Sequence, residues 1–268
     1  MQGISYIITT YNRHDLLSRA IDSIIVERIF PSELLIIDDC SDLEVQLSAK
    51  AKEAFGDQIH VFRNQQNLGV IGARNAGLNA AKYDFVMFLD DDDQSFPQRS
   101  KVLLPYIIDS NYAFVAGKCE MWTNQTKKIV PITSHQELSP VDLLLYPAHI
   151  NGVIWRKAAF SALGGMDERV PYLGEHISSQ MMLFQGQKAL QIDAVVSQFT
   201  YIDNGLTANV TKRKSLQQQL ISFYEVLVAE SANTPYQGMF TKLAKAVNHH
   251  QINTFDDYLE LITPLLVS

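Results

Sequence analysis

Short runs of consecutive apolar residues alternate along the first hundred positions with longer segments whose apolar residues recur every three or four places. Residues 4–9 are β-branched and aromatic and predict a buried strand. Residues 15–26 set Leu16, Leu17, Ala20, Ile21, Ile24 and Ile25 at helical spacing. A second strand is expected over 34–37, stopped by Asp38 and Asp39, then a helix over 43–55 and a third strand over 59–62. Residues 67–81 predict a helix entered through a glycine-containing loop, and 85–89 a fourth strand that runs into Asp90, Asp91, Asp92 and Asp93. The next stretch is less regular: strands over 113–116 and 152–155, a helix over 158–163 broken by Gly164 and Gly165, and a helix over 178–187. Beyond Thr207 only helices are expected, over 215–229, 236–248 and 254–266.

Strand, helix, strand, helix with short connections is the pattern of a mostly parallel sheet with helices on both faces, an α/β fold. Such sheets bind ligands beyond the carboxyl ends of their strands. Three polar clusters fall at those ends: 9–13, 38–41 and 90–93. Their convergence on one edge marks the expected site. Two regions are expected, 1–205 (with halves of about 1–100 and 101–205) and a helical extension over 206–268.

The chain of 268 residues is 47% apolar and 19% charged, enough for a sizeable core. Its net charge of −7 argues against a nucleic-acid surface, which needs a clustered basic excess. Two distant cysteines, Cys40 and Cys119, form no disulfide framework and fit a reducing compartment. No basic segment followed by a long apolar run opens the chain, and no stretch reaches the roughly 20 apolar residues of a membrane span. A cytoplasmic protein is expected. The apolar residues 258–267, interrupted by Pro264, are expected to pack on the body or to make at most a peripheral membrane contact.

The acidic tetrad carries the strongest chemical signal. A strand that delivers four carboxylates to one place creates a repulsion that a cation relieves. Hard divalent ions such as Mg²⁺ or Mn²⁺ take one or two carboxylates together with substrate phosphates. A solvated acidic turn is the other account.

These clusters lie in a longer series of motifs. It comprises Thr9-Thr10-Tyr11-Asn12-Arg13, Ile36-Ile37-Asp38-Asp39-Cys40-Ser41, Asn67-Leu68-Gly69 with Ala73-Arg74-Asn75-Ala76-Gly77, and Phe88-Leu89 leading the tetrad with Pro97 following. Gly164-Gly165-Met166-Asp167-Glu168 and Gly174-Glu175-His176 complete it. In this order and spacing the chain resembles the family 2 glycosyltransferases of the GT-A fold, over residues 3 to 205.

The resemblance implies transfer of a sugar, with inversion, from a nucleotide-sugar donor such as a UDP-sugar to a carbohydrate or lipid-linked glycan, in bacterial surface polysaccharide or lipo-oligosaccharide synthesis. It implies that Thr9, Tyr11 and Arg13 lie along the nucleotide, that Asp39 accepts the uracil N–H, and that Arg74 stands near base and phosphates. Helix capping by Asp38 or Asp39 and a surface ion pair for Arg74 are the plainer roles. Asp90-Asp91-Asp92 matches the family's Asp-x-Asp metal motif, with Asp92 the direct ligand, Asp90 on ribose or metal, and Asp91 at the variable position. Asp93 either continues the motif or caps the next turn.

One position departs from the family. Many members carry Glu-Asp where this chain has Glu175-His176, the aspartate being the base that deprotonates the acceptor. Histidine, with an ordinary pKa of about 6.5, is a competent base near neutrality, and Glu175 is the alternative. Asp167 and Glu168 are placed near donor or acceptor, or in a structural cap. Trp122, Trp155 and Tyr172 are candidates for stacking on sugar rings, against the commoner fate of core aromatics. His149 and Asn151 are placed toward the acceptor, and His249 and His250 on the surface. A nucleotide-sugar-binding protein without turnover is the competing reading. A sugar nucleotidyltransferase is disfavoured because no glycine-rich loop follows the first strand.

Overall fold

The predicted alternation is realised in a computed structural model that describes residues 2–29, 31–123, 126–131, 135–171, 173–200 and 216–267. The first half runs β1 (Ile4–Thr10), α1 (His14–Glu27), β2 (Ser32–Asp38), α2 (Ala49–Phe55), β3 (Ile59–Arg63), α3 (Gly69–Ala80) and β4 (Phe85–Asp90). The expected helix over 43–55 begins only at Ala49. The Ser48 hydroxyl accepts the Ala51 N–H at 3.1 Å and fixes the first turn there, while Leu43 stays in solvent.

The second half runs β5 (Gln94–Ser95), α4 (Arg99–Ile108), β6 (Tyr112–Trp122), β7 (Lys127–Val130), β8 (Gln136–Glu137), α5 (Pro140–Leu145), β9 (Val153–Arg156), α6 (Lys157–Leu163), α7 (Gly174–Phe184) and β10 (Lys188–Thr200). Helices α8 (Leu216–Glu230), α9 (Gln237–His249) and α10 (Phe255–Val267) follow. Helix α7 starts at Gly174 rather than 178, so Glu175 and His176 belong to its first turn. Helix α10 runs through Pro264, in line with the helix expected over 254–266. The expected boundary at 205–206 falls outside the described residues.

The sheet order is β3-β2-β1-β4-β9-β6-β10-β5, with β7 on β6 and β8 on β10. Strands β3, β2, β1 and β4 are mutually parallel. Strand β9 enters antiparallel between β4 and β6, and β10 is parallel to β6. Because β9 is reversed, its N-terminal end meets the C-terminal end of β4.

Each face of the sheet has its own core. Helices α1, α2 and α4 cover one through Leu17, Ile24, Phe55, Leu103 and Ile107. Helices α3, α6 and α7 cover the other through Ile71, Leu78, Phe160 and Met182. Gly77 lets α3 lie close, since a β-carbon there would stand 2.5 Å from Ile7 Cγ2. A third core joins Phe223, Tyr224 and Leu227 of α8 and Phe240 and Leu243 of α9 to Ile177 of α7 and Leu144 of α5. Among the described residues no helix is long and apolar enough to cross a membrane.

Candidate active site

The carboxyl ends of β1, β2 and β4 bring the three polar clusters to one edge. The Thr10 hydroxyl, on the last residue of β1, donates to Asp91 Oδ2 at 2.6 Å. Arg13, just before α1, donates to Asp92 Oδ2 at 2.6 Å and lies 3.4 Å from Asp91 Oδ1. Asp91 is thus buried beneath the edge, whereas Asp92, expected to be the direct metal ligand, turns to Arg13 at the rim. Tyr11 is exposed. Thr9 is half-buried and pairs in register with Asp90 across β1 and β4.

The cluster after β2 organises the loop entering α3. Asp39 Oδ1 accepts from Leu68 N–H at 2.9 Å and Asn64 Nδ2 at 2.8 Å, and Oδ2 accepts from Gly69 N–H at 2.9 Å. Asp39 thus ties this loop to the backbone that opens α3, while the next helix, α2, is capped by Ser48. Gly69 adopts φ 75°, which glycine supplies without strain. Asp38 accepts the Ser41 N–H at 2.9 Å and faces Arg63 at 3.4 Å.

Arg74, buried on α3, reaches across the edge instead of forming a surface pair. It donates to Asp90 Oδ1 at 2.7 Å and pairs with Glu175 Oε2 at 3.3 Å. His176 Nε2 lies 3.9 Å from Glu175 Oε1, and its side chain is 29% exposed. One guanidinium thus links the acidic edge to the first turn of α7.

Asp93 is neither a cap nor a solvated side chain. It accepts from Asn151 Nδ2 at 2.7 Å and from Thr200 N–H at 3.1 Å. Asn151 Oδ1 accepts the Asp90 N–H at 3.0 Å. Ligand atoms of Asp90, Asp93 and His149 lie within 4.8 Å of one another. His149 is stacked on Phe199 with ring centroids 3.9 Å apart. Two carboxylates and an imidazole form a donor set that a divalent cation fits.

Protonation follows from burial and neighbours. Burial, reinforced by Asp90 and Asp92, pushes Asp93 up to about 9. Burial lifts Asp91 to about 6 against the pull of Thr10 and Arg13. Burial raises Asp92 too, helped by Asp90 and opposed by Arg13. For Asp90 burial is outweighed by Arg74, His149 and Arg13, and its carboxyl falls below the usual range. Burial lowers His149 to about 4, so its ring is neutral near pH 7.

Other candidates separate cleanly. Trp155 is 2% exposed in the core, whereas Trp122 is 41% exposed at the end of β6, the end that β10 pairs through Thr200. Tyr172 lies outside the described residues. Asp167 is committed to Arg169, which also pairs with Glu230 at 2.7 Å. Glu168 accepts from Asn75 Nδ2 at 2.7 Å. Asn75 also exchanges hydrogen bonds with both backbone groups of Met166, at 3.0 and 2.7 Å. Sequence reasoning misses this clamp, although a polar amide inside an otherwise apolar helix face is its signal. Asn151, expected toward the acceptor, is instead buried against the aspartates. His249 and His250 are exposed, as expected.

Known proteins resemble the chain in sequence and in fold. The chain is 29% identical over 183 residues to a glycosyltransferase of Haemophilus influenzae described as uncharacterised, covering 65% of this chain and 59% of that protein. It is 34% identical over 120 residues to a GalNAc(5)-diNAcBac-PP-undecaprenol β-1,3-glucosyltransferase of Campylobacter jejuni, covering 44% and 38%. The alignments thus span 59% and 38% of these relatives' lengths, under two thirds of each. Among solved structures, S. aureus TarS 1–349 in complex with UDP-GlcNAc superposes with a TM-score of 0.69 at 14% identity, over 99% of this chain and 81% of that one. That likeness identifies the GT-A fold. The model of glycosyl transferase family 2 matches residues 5–161, more than half of the chain, and the chain belongs to that family.

Proposed function

We propose that this glycosyltransferase moves a sugar, with inversion, from a UDP-sugar to a carbohydrate or lipid-linked glycan, with Mn²⁺ or Mg²⁺ at the acidic edge. The observation that carries the reading is the convergence of Asp90, Asp93 and His149 beside Arg13 and Arg74 at the strand ends. Support for the donor comes from TarS, solved with UDP and with UDP-GlcNAc. Support for the acceptor comes from an Escherichia coli relative, a UDP-Glc:alpha-D-GlcNAc-diphosphoundecaprenol beta-1,3-glucosyltransferase, 28% identical over 123 residues. A bacterial surface-polysaccharide role at the inner membrane face is the cellular context that fits such relatives.

Asp90, Asp93 and His149 hold the cation in this reading, and the bound ion supplies Lewis-acid stabilisation of the departing diphosphate. Arg13, at the rim with Asp92, offers its charge to the phosphates, and Thr9 and Tyr11 flank the nucleotide. Asp39 has Gly69 N–H alone on Oδ2, which leaves that oxygen room for a base N–H. His176 takes the acceptor proton. Glu175, with Oε2 turned to Arg74 at 3.3 Å, is the alternative base. The exposed Trp122 offers a ring face to a sugar.

The test is release of nucleoside diphosphate from a panel of nucleotide-sugars and glycoside acceptors, with Mn²⁺ and then with EDTA. Metal-dependent release from one UDP-sugar is expected, falling at least 100-fold in Asp90→Ala and in Asp93→Ala. His176→Ala is expected to lower kcat at least 100-fold with the donor KM unchanged, in line with loss of a proton acceptor. Donor binding without release in the wild type favours the binding-protein reading, for which the Glu175-His176 departure is the specific observation.

A further inference from the structure

We propose that Asn151 is the positioning residue of the cation site, setting the mutual geometry of Asp90, Asp93 and His149 from a buried anchor formed by Arg99 and Glu27. The inference rests on the metal-dependent reading above and assigns a part in it to residues that touch no substrate.

Asn151 is fully buried, in the 3-10 turn Ile150–Gly152 that precedes β9. It contacts every member of the donor set. Its Oδ1 accepts the Asp90 N–H at 3.0 Å, its Nδ2 donates to Asp93 Oδ2 at 2.7 Å, and its own N–H donates to His149 Nδ1 at 3.4 Å. A carboxamide suits this place because it carries an acceptor and a donor on one planar group. Aspartate would put an acceptor against Asp93, and an apolar residue would take this partner from the Asp90 N–H and from Asp93 Oδ2.

The anchor beneath is buried. Arg99 and Glu27 have no exposed surface, and Arg99 Nε donates to both carboxylate oxygens at 2.9 and 3.0 Å. Arg99 NH1 donates to Asn151 O at 2.7 Å and to Phe88 O at 2.9 Å, tying the turn before β9 to the last residues of β4. Ser100 donates to Glu27 at 2.6 Å, Ser95 also bonds that carboxylate, and the Tyr6 hydroxyl meets Ser100 at 2.7 Å. A core in which these polar neighbours bond the ion pair holds Asn151 in one place. Partners that orient metal ligands change affinity by roughly 10–100-fold when lost.

The experiment is a titration of the full-length protein with Mn²⁺, following the free-ion EPR signal with and without UDP. Unfolding of each variant is monitored in parallel. Asn151→Ala is expected to bind Mn²⁺ at least 10-fold more weakly than wild type while still unfolding cooperatively, and its bound-ion spectrum should broaden as the donor set loosens. Asn151→Ser, which keeps a hydroxyl near Asp90 N–H, is expected to recover part of that loss and serves if the alanine variant does not fold. Affinity of folded Asn151→Ala within 3-fold of wild type, or of Asn151→Ser where the alanine variant does not fold, would overturn the positioning role while leaving the metal site standing. No Mn²⁺ binding by the wild type, with or without UDP, would overturn both.

Discussion

At the scale of single residues, the four aspartates that look equivalent in sequence are given four different environments. Asp90 is ion-paired, Asp91 lies under Thr10, Asp92 faces Arg13 and Asp93 is held by an amide. Asp91 shows what this does to stability. Burial raises its carboxyl to about 6, so the folded protein holds that proton more tightly than the unfolded chain. Its contribution is complete below about pH 4 and is lost as pH rises through 6. The distance between an ordinary aspartate and this one corresponds to on the order of 2–3 kcal/mol. Urea unfolding in EDTA should therefore show wild type losing that much relative to Asp91→Asn between about pH 4 and 8. A difference that stays constant with pH would refute the burial account.

At the scale of elements, helix α7 has the tightest constraint at its start. A β-carbon on Gly174 would stand 2.2 Å from the Asp167 carbonyl oxygen, a backbone atom with little freedom to yield. Gly174→Ala is expected to cost about 1–3 kcal/mol, as overpacking does. It should also lower kcat, because Glu175 and His176 follow in the same turn. Unchanged stability and turnover would mean that the turn yields more readily than this backbone contact implies. Elements of this kind are unevenly legible in the sequence. Strands β1, β2 and β4 announce themselves as apolar runs buried almost throughout and α1 by its helical spacing, whereas the start of α2 is set by the Ser48 cap rather than by any apolar period. Strand β10 does not announce itself, because register shifts between Gln191 and Val195 and between Val195 and Ser197 break its alternation. The aspartates are legible as a group because they end an apolar strand. The partnership of Asp93 with Asn151 is not, since 58 positions separate the two and only the reversal of β9 joins them.

At the scale of the whole molecule, the C-terminal helices are part of the frame that carries the site. They share an apolar core with Ile177 of α7, and the Tyr224 and Tyr258 hydroxyls meet inside it at 2.8 Å. Phe240, with no exposed surface, is central to that core. Phe240→Ala is expected to destabilise by about 3–5 kcal/mol, within one cooperative transition and with reduced turnover. Two separate transitions by calorimetry would show that the helices fold apart from the sheet. The reversed strand β9 has a consequence for synthesis of the chain. When the first hundred residues have left the ribosome, all four aspartates have been made and the Asp93 N–H can meet the Asp90 carbonyl, yet the side-chain amide that joins Asp93 to the Asp90 N–H has not. Asn151 has to arrive for the amide clamp and Thr200 for the last bond to Asp93. The growing chain therefore gains its carboxylates early and the amide that sets their spacing late, so the order of synthesis runs opposite to the order in which the edge is fixed.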